Sequence, residues 1–88
     1  MKPIKTTRRF DKHFAARIAP HPSLLTAFEG SIEVFLEDRR LVADHQLEGK
    51  MALYRAFWIT ENYRVVYTET PDYFLFQDVG THDEVYYR

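Results

Sequence analysis

The chain has 88 residues and no cysteine, with 45% apolar, 16% aromatic and 28% charged residues and a formal net charge of −1. Such a length points to a single domain over residues 1–88 that buries roughly 60% of its unfolded surface, so seven Phe, six Tyr and one Trp must form a dense core. Without cysteine there are no disulfides, thiolate zinc sites or Cys nucleophile, and with no apolar run near ~20 residues and no signal-peptide pattern at Met1–Lys5 the expectation is a cytoplasmic protein without a membrane partner.

Ile4-Lys5-Thr6-Thr7 reads as a short strand. Thr7 is placed to N-cap a helix, with Asp11 near its positive end. Phe10, Phe14 and Ile18 make one stripe of that helix, and Pro20 and Pro22 end it. Ser23 is the expected cap of a second helix, in which Leu25, Phe28, Ile32 and Phe35 recur at helical spacing and Leu24 and Leu36 widen the stripe. The two helices predict a hairpin with one shared apolar seam. The first seventeen residues also hold six Lys/Arg against Asp11 alone. That basic patch suits phosphate or an acidic protein, or is only a solvated face.

From Asp44 the pattern changes. Residues 45–50 read as a polar loop, and Met51 to Thr60 alternates with period two as a strand. Glu61-Asn62 is a turn, Tyr63 to Thr68 a second strand, Pro71-Asp72 a turn, and Tyr73 to Val79 a third strand before Gly80. Turns this short demand antiparallel pairing, because parallel neighbours need a long crossover. The expected fold is α+β in the order β-α-α-β-β-β, with a helical hairpin on one face of an antiparallel sheet that the first strand joins.

His45-x-Leu47-x-Gly49, Tyr54-Arg55, Tyr63-Arg64-Val65-Val66-Tyr67 and Val79-Gly80-Thr81-His82 follow one another in this order, after an opening Thr6-Thr7-Arg8-Arg9-Phe10-Asp11-Lys12. This succession resembles the RelE/ParE superfamily of bacterial toxins, and it is most similar to the YafQ-like and RelE/StbE-type mRNA interferases. The resemblance covers essentially the whole chain. It implies the toxin of a type II toxin–antitoxin pair, silenced by a cognate antitoxin and reaching operator DNA only through the complex with it. It further implies an endoribonuclease that cuts mRNA on the ribosome without a metal or other cofactor. In that reaction the ribose 2′-OH attacks the adjacent phosphate.

Such cleavage needs a base for the 2′-OH proton, cations or donors for the crowded phosphorane, and an acid for the 5′-oxygen. By the resemblance His82, His45, Arg64 and Tyr86 are the candidate catalytic residues. His82 would be presented by a sharp turn after Gly80; by its residues alone it is a loop histidine pairing with Asp83. His45 by its residues alone caps a turn beside Asp44. Arg64 is a phosphate clamp or an ion-pair partner of Asp78 or Glu69, and Tyr86 stacks a base or packs the tail. Arg8, Arg9, Lys12 and Arg17, with Lys50 and Arg55, are the candidate RNA- and ribosome-binding residues. His13 and His21 match nothing catalytic and are read as solvent-facing. Trp58 and Asn62 occupy positions where YafQ-like enzymes carry a further catalytic histidine and an aspartate, and neither shuttles a proton at pH 7. Two other readings belong to the same fold: a ParE-like toxin that binds gyrase, and a degenerate toxin that only binds its antitoxin. Histidine spacing disfavours a metal hydrolase, and three scattered glycines make no phosphate loop.

Overall fold

Thr7 performs the role its position predicts: its Oγ1 accepts from the Phe10 N–H at 3.1 Å and starts α1 (Arg8–Arg17). In the computed structural model, which describes residues 2–86, β1 (Ile4–Thr6) precedes this helix and α2 (Pro22–Asp38) follows it. Ser23 is not the cap of α2. The chain enters at His21 with Pro22 in the first turn, where a residue lacking an N–H and preset near helical φ is favoured. Phe10, Ile18 and Phe35 are buried, and Phe14, Leu24, Phe28, Ile32 and Leu36 pack around them; Leu24, and not Leu25, joins this seam.

The sheet has five strands in the order β1-β5-β4-β3-β2, where β2 is His45–Gln46, β3 Arg55–Trp58, β4 Tyr63–Glu69 and β5 Phe74–Thr81. It is mixed, not purely antiparallel. β1 runs parallel to β5, with Ile4 opposite Phe74 and Thr6 opposite Phe76, because the helical hairpin supplies the long crossover that parallel pairing requires. The expected strand over 51–60 is also shorter. Gly49–Met51 forms a 3-10 turn, Gly49 takes φ +63°, and the chain reverses so that β2 pairs with β3. The predicted loop over 45–50 therefore contains an edge strand, and Leu53, 88% exposed, lies outside the sheet.

Alternation along β4 divides the core. Val65 and Tyr67 face the helices, whereas Val66 packs with Ala56 and Val85 on the other face, against Leu47, Met51, Tyr54 and Tyr86. Phe35 is the hub of the larger cluster: its ring lies 4.5 Å from Phe57 and 4.9 Å from Phe74, centroid to centroid. Beyond the end of β1, α1 covers the open edge of β5. Thr7 Oγ1 donates to the Gln77 carbonyl (3.1 Å), Arg17 Nη1 to the Val79 carbonyl (2.9 Å), and His13 Nδ1 lies 2.6 Å from the buried Asp78 carboxylate. His13 is thus partly buried and paired, not solvent-facing, while His21 is exposed.

A chain of polar groups ties the segment before β2 to the sheet. Tyr67, buried in β4, donates its hydroxyl to Asp44, and Arg55 bonds the same carboxylate. Arg39 Nη1 donates to the Tyr67 hydroxyl (3.3 Å) and to Glu69 (2.7 Å), which Lys2 also contacts. Burial, with the hydrogen bond to Asp44 adding to it, pushes the Tyr67 hydroxyl up to about 12. Hydrogen bonding from Arg39, helped by Lys2, holds the Glu69 carboxyl at about 2, below its ordinary 4.5. The unfolded chain therefore binds a proton at Glu69 before the native state does. Stability from this group is full above pH 4.5 and is lost as pH falls toward about 2. Glu69→Gln is expected to flatten this part of the acid-unfolding curve, as read by circular dichroism; an unchanged acid limb would show that the Arg39–Glu69 pair carries none of it.

Candidate functional site

Gly80 does not end β5. The strand runs through it to Thr81 and passes directly into α3 (His82–Tyr86), so His82 is presented by a helix start and not by a sharp turn. A five-residue helix has little stability of its own. Here it is held by a reciprocal cap, in which Glu84 Oε1 accepts from the Thr81 N–H (2.8 Å) and Thr81 Oγ1 from the Glu84 N–H (3.3 Å). Val85 anchors it on the sheet, and Arg17 Nε lies 3.4 Å from Glu84. A Cβ at Gly80 would fall 2.7 Å from Arg17 Nη1 and 2.8 Å from Glu84 Oε1, so glycine lets these two side chains close over the strand without shifting. The helical register places His82 and Tyr86 four residues apart, and their rings meet edge to face with centroids 4.5 Å apart.

These two side chains form one wall of a groove of about 540 Å³ whose other wall is the β2 segment, with His45, Leu47, Lys50 and Met51. His45 is exposed, and its Nδ1 lies 2.8 Å from the Ala43 carbonyl. A carbonyl only accepts, so Nδ1 carries the proton and the neutral ring keeps its lone pair on Nε2. Ala43 takes a left-handed conformation (φ 56°) at the end of the 3-10 turn Arg39–Val42, and this turns the chain into Asp44 and His45. Asp44, fastened to Tyr67 and Arg55, then holds that segment against the sheet.

Arg64 lines an adjoining recess of about 550 Å³, together with Asn62, Tyr63, Thr81 and Asp83, and His82 lines both cavities. Neither expected ion pair forms: Glu69 is taken by Arg39 and Lys2, and Asp78 by His13 and Arg17. Arg64 is instead buried, with Nη1 donating to the carbonyls of Thr60 (3.0 Å), Glu61 (2.8 Å) and Tyr63 (3.2 Å) across the β3–β4 turn. Its guanidinium carbon lies 4.2 Å from the centre of the Trp58 ring. The Tyr86 hydroxyl is buried with no hydrogen-bond partner among the described residues. Burial pushes it above the ordinary tyrosine value, and the neighbouring Arg64 guanidinium opposes that shift.

The fold thus brings together His82, His45, Tyr86 and Lys50, with Arg64 beside them. It does not bring the other cations there. Arg8, Arg9 and Lys12 are exposed on α1, away from the groove lining, whereas Arg17 is committed to the β5 edge and Arg55 to Asp44. Three positioning features do not follow from the predicted elements. Thr81-x-x-Glu84 was visible as a capping-box pattern, but the Asp44–Tyr67 bond and the Arg64–Trp58 stack join elements with no local signature. Among the described residues no cluster of three or more His, Asp or Glu is placed to hold a metal ion, and no helix is long and apolar enough to cross a membrane.

The mixed five-stranded sheet, helical hairpin and short terminal helix define the RelE-like class of bacterial toxin folds. YafQ from E. coli strain BL21(DE3) matches with a TM-score of 0.79 over 98% of this chain and 99% of that one, at 16% identity. The E. coli DinJ–YafQ complex gives 0.77 over 98% and 99% at 17% identity, and a copper-bound mutant toxin from Helicobacter pylori 0.72 over 98% and 100% at 26%. No curated protein sequence matches the chain. The sequence model of YafQ, described as a bacterial toxin of a type II toxin–antitoxin system, matches residues 2–87, and the chain belongs to that family.

Proposed function

We propose that this toxin is a metal-independent, ribosome-dependent endoribonuclease that cuts mRNA in the cytoplasm. The observation that carries the reading is the meeting of two imidazoles, from β2 and α3, in one groove beside a buried guanidinium. His45 Nε2, with its lone pair outward from the Ala43 contact, takes the proton from the ribose 2′-OH. The 2′-oxygen bonds to phosphorus, Arg64 stabilises the charge on the phosphorane, and the bond to the 5′-oxygen breaks. His82 delivers a proton to that leaving oxygen, so the products are a 2′,3′-cyclic phosphate and a 5′-OH. Tyr86 orients the His82 ring through their edge-to-face contact. Arg8, Arg9 and Lys12 on α1, with Lys50 at the groove, contact RNA backbone through salt-sensitive, sequence-independent interactions.

The cognate antitoxin is the protein partner, as DinJ is for YafQ in the solved complex, and operator DNA is reached through that complex. The test is to add the purified toxin to translating ribosomes and map the cut mRNA by primer extension, with chemical identification of the new ends. Cleavage leaving a cyclic phosphate supports the proposal. Intact message, or ends bearing a 5′-phosphate, overturns it.

A further inference from the structure

We infer that Trp58 forms a nucleobase-stacking subsite beside Arg64, an inference that rests on the ribonuclease reading above. Trp58 is the only tryptophan of the chain and remains 39% exposed, whereas its neighbours Phe57 and Ile59 are buried. It stands directly opposite Arg64 in the β3–β4 register. Alternation along β3 puts it on the same sheet face as Ala56, which packs with Val66 and Val85 and carries Tyr86 alongside. Trp58 thus starts from the face that carries α3 and reaches the His82 side through Arg64, which lines a cavity with His82. The cavity that Trp58 itself borders is walled by α2.

The Arg64 guanidinium lies over the indole ring, 4.2 Å from its centre, and Arg64 is itself locked by three turn carbonyls. The ring is therefore held in one orientation before any ligand arrives, which lowers the ordering cost of binding. A cation fixed against a flat, partly exposed aromatic matches the two parts of a nucleotide: the phosphate meets Arg64, and an adjacent base lies on the indole. Stacking of this kind tolerates any base, because each has a π-face. The second candidate occupant, a protein segment, would also engage the more exposed Leu41 across the cavity that Trp58 borders.

The single tryptophan gives a direct readout. A dye-labelled 2′-O-methyl oligonucleotide, which lacks the attacking hydroxyl, is titrated into the intact protein while dye anisotropy and tryptophan fluorescence are followed together. The expected result is quenching that saturates in step with anisotropy. Trp58→Ala is expected to weaken binding by about 5- to 150-fold, and Trp58→Phe to recover most of it. Melting curves of both variants separate this from a folding defect. Binding without quenching, or with Trp58→Ala unaffected, overturns the subsite and leaves the ribonuclease reading intact. Absence of binding by both signals also overturns it, and cleavage of translated message then decides the ribonuclease reading separately. Quenching by the antitoxin but not by RNA assigns the surface to protein and overturns the inference.

Discussion

His82→Ala is expected to lower cleavage of translated mRNA by on the order of 10²-fold or more, the usual loss when a positioned acid or base is removed. Its side chain is 51% exposed, and its contacts include the edge of the Tyr86 ring and a 3.5 Å approach to Asp83. It belongs to neither core cluster, so the melting temperature should shift by only a few degrees. His45→Ala should act in the same range, since both histidines line the same groove. The double variant should fall little below either single one, because groups that act on one transition state are not additive. Rates are read by primer extension at fixed toxin concentration. Cleavage unchanged in His82→Ala would remove the residue from the mechanism, and growth arrest that persists without cleavage would favour the ParE-like alternative.

Arg64→Ala is expected to cost about 2–4 kcal/mol of transition-state stabilisation, roughly 30- to 800-fold in kcat/KM. Arg64 also bonds three carbonyls of the β3–β4 turn and stacks on Trp58, so alanine removes structure as well as charge. Arg64→Lys separates the two. An ammonium keeps the positive charge and can reach a turn carbonyl, but it loses the planar fork and the flat stacking surface. The expectation is a lysine variant that stays folded at the assay temperature while its kcat/KM still falls by more than about tenfold. An activity loss that follows the unfolded fraction in both variants would leave Arg64 with the turn alone.

Much of the helical half was legible because its signals are local. Thr7 is three residues from the N–H it caps, and Phe10, Phe14 and Ile18 share a face whatever lies beyond it. The β4 strand was equally readable, with side chains buried on both faces at Val65 and Val66. Departures arose where pairing across the chain competes with local pattern. Met51 to Thr60 alternates like a strand, yet its first part folds back as a turn because β2 needs β3 as its neighbour. Ser23 is a good cap by composition, but Pro22 claims the first turn of α2.

Order and spacing of motifs alone were enough to reach the toxin family, the helical hairpin and the central β4–β5 pair, since each depends on residues close in sequence or on the hydrophobic period. Tertiary structure decided the parallel placement of β1, the helix that carries His82, the Asp44–Tyr67 tie behind His45, and the partners of Arg64. Each of these is a contact between elements distant in the chain, or a choice among several chemically equal partners. Periodicity does not encode such choices; burial and hydrogen-bond satisfaction within the assembled sheet make them.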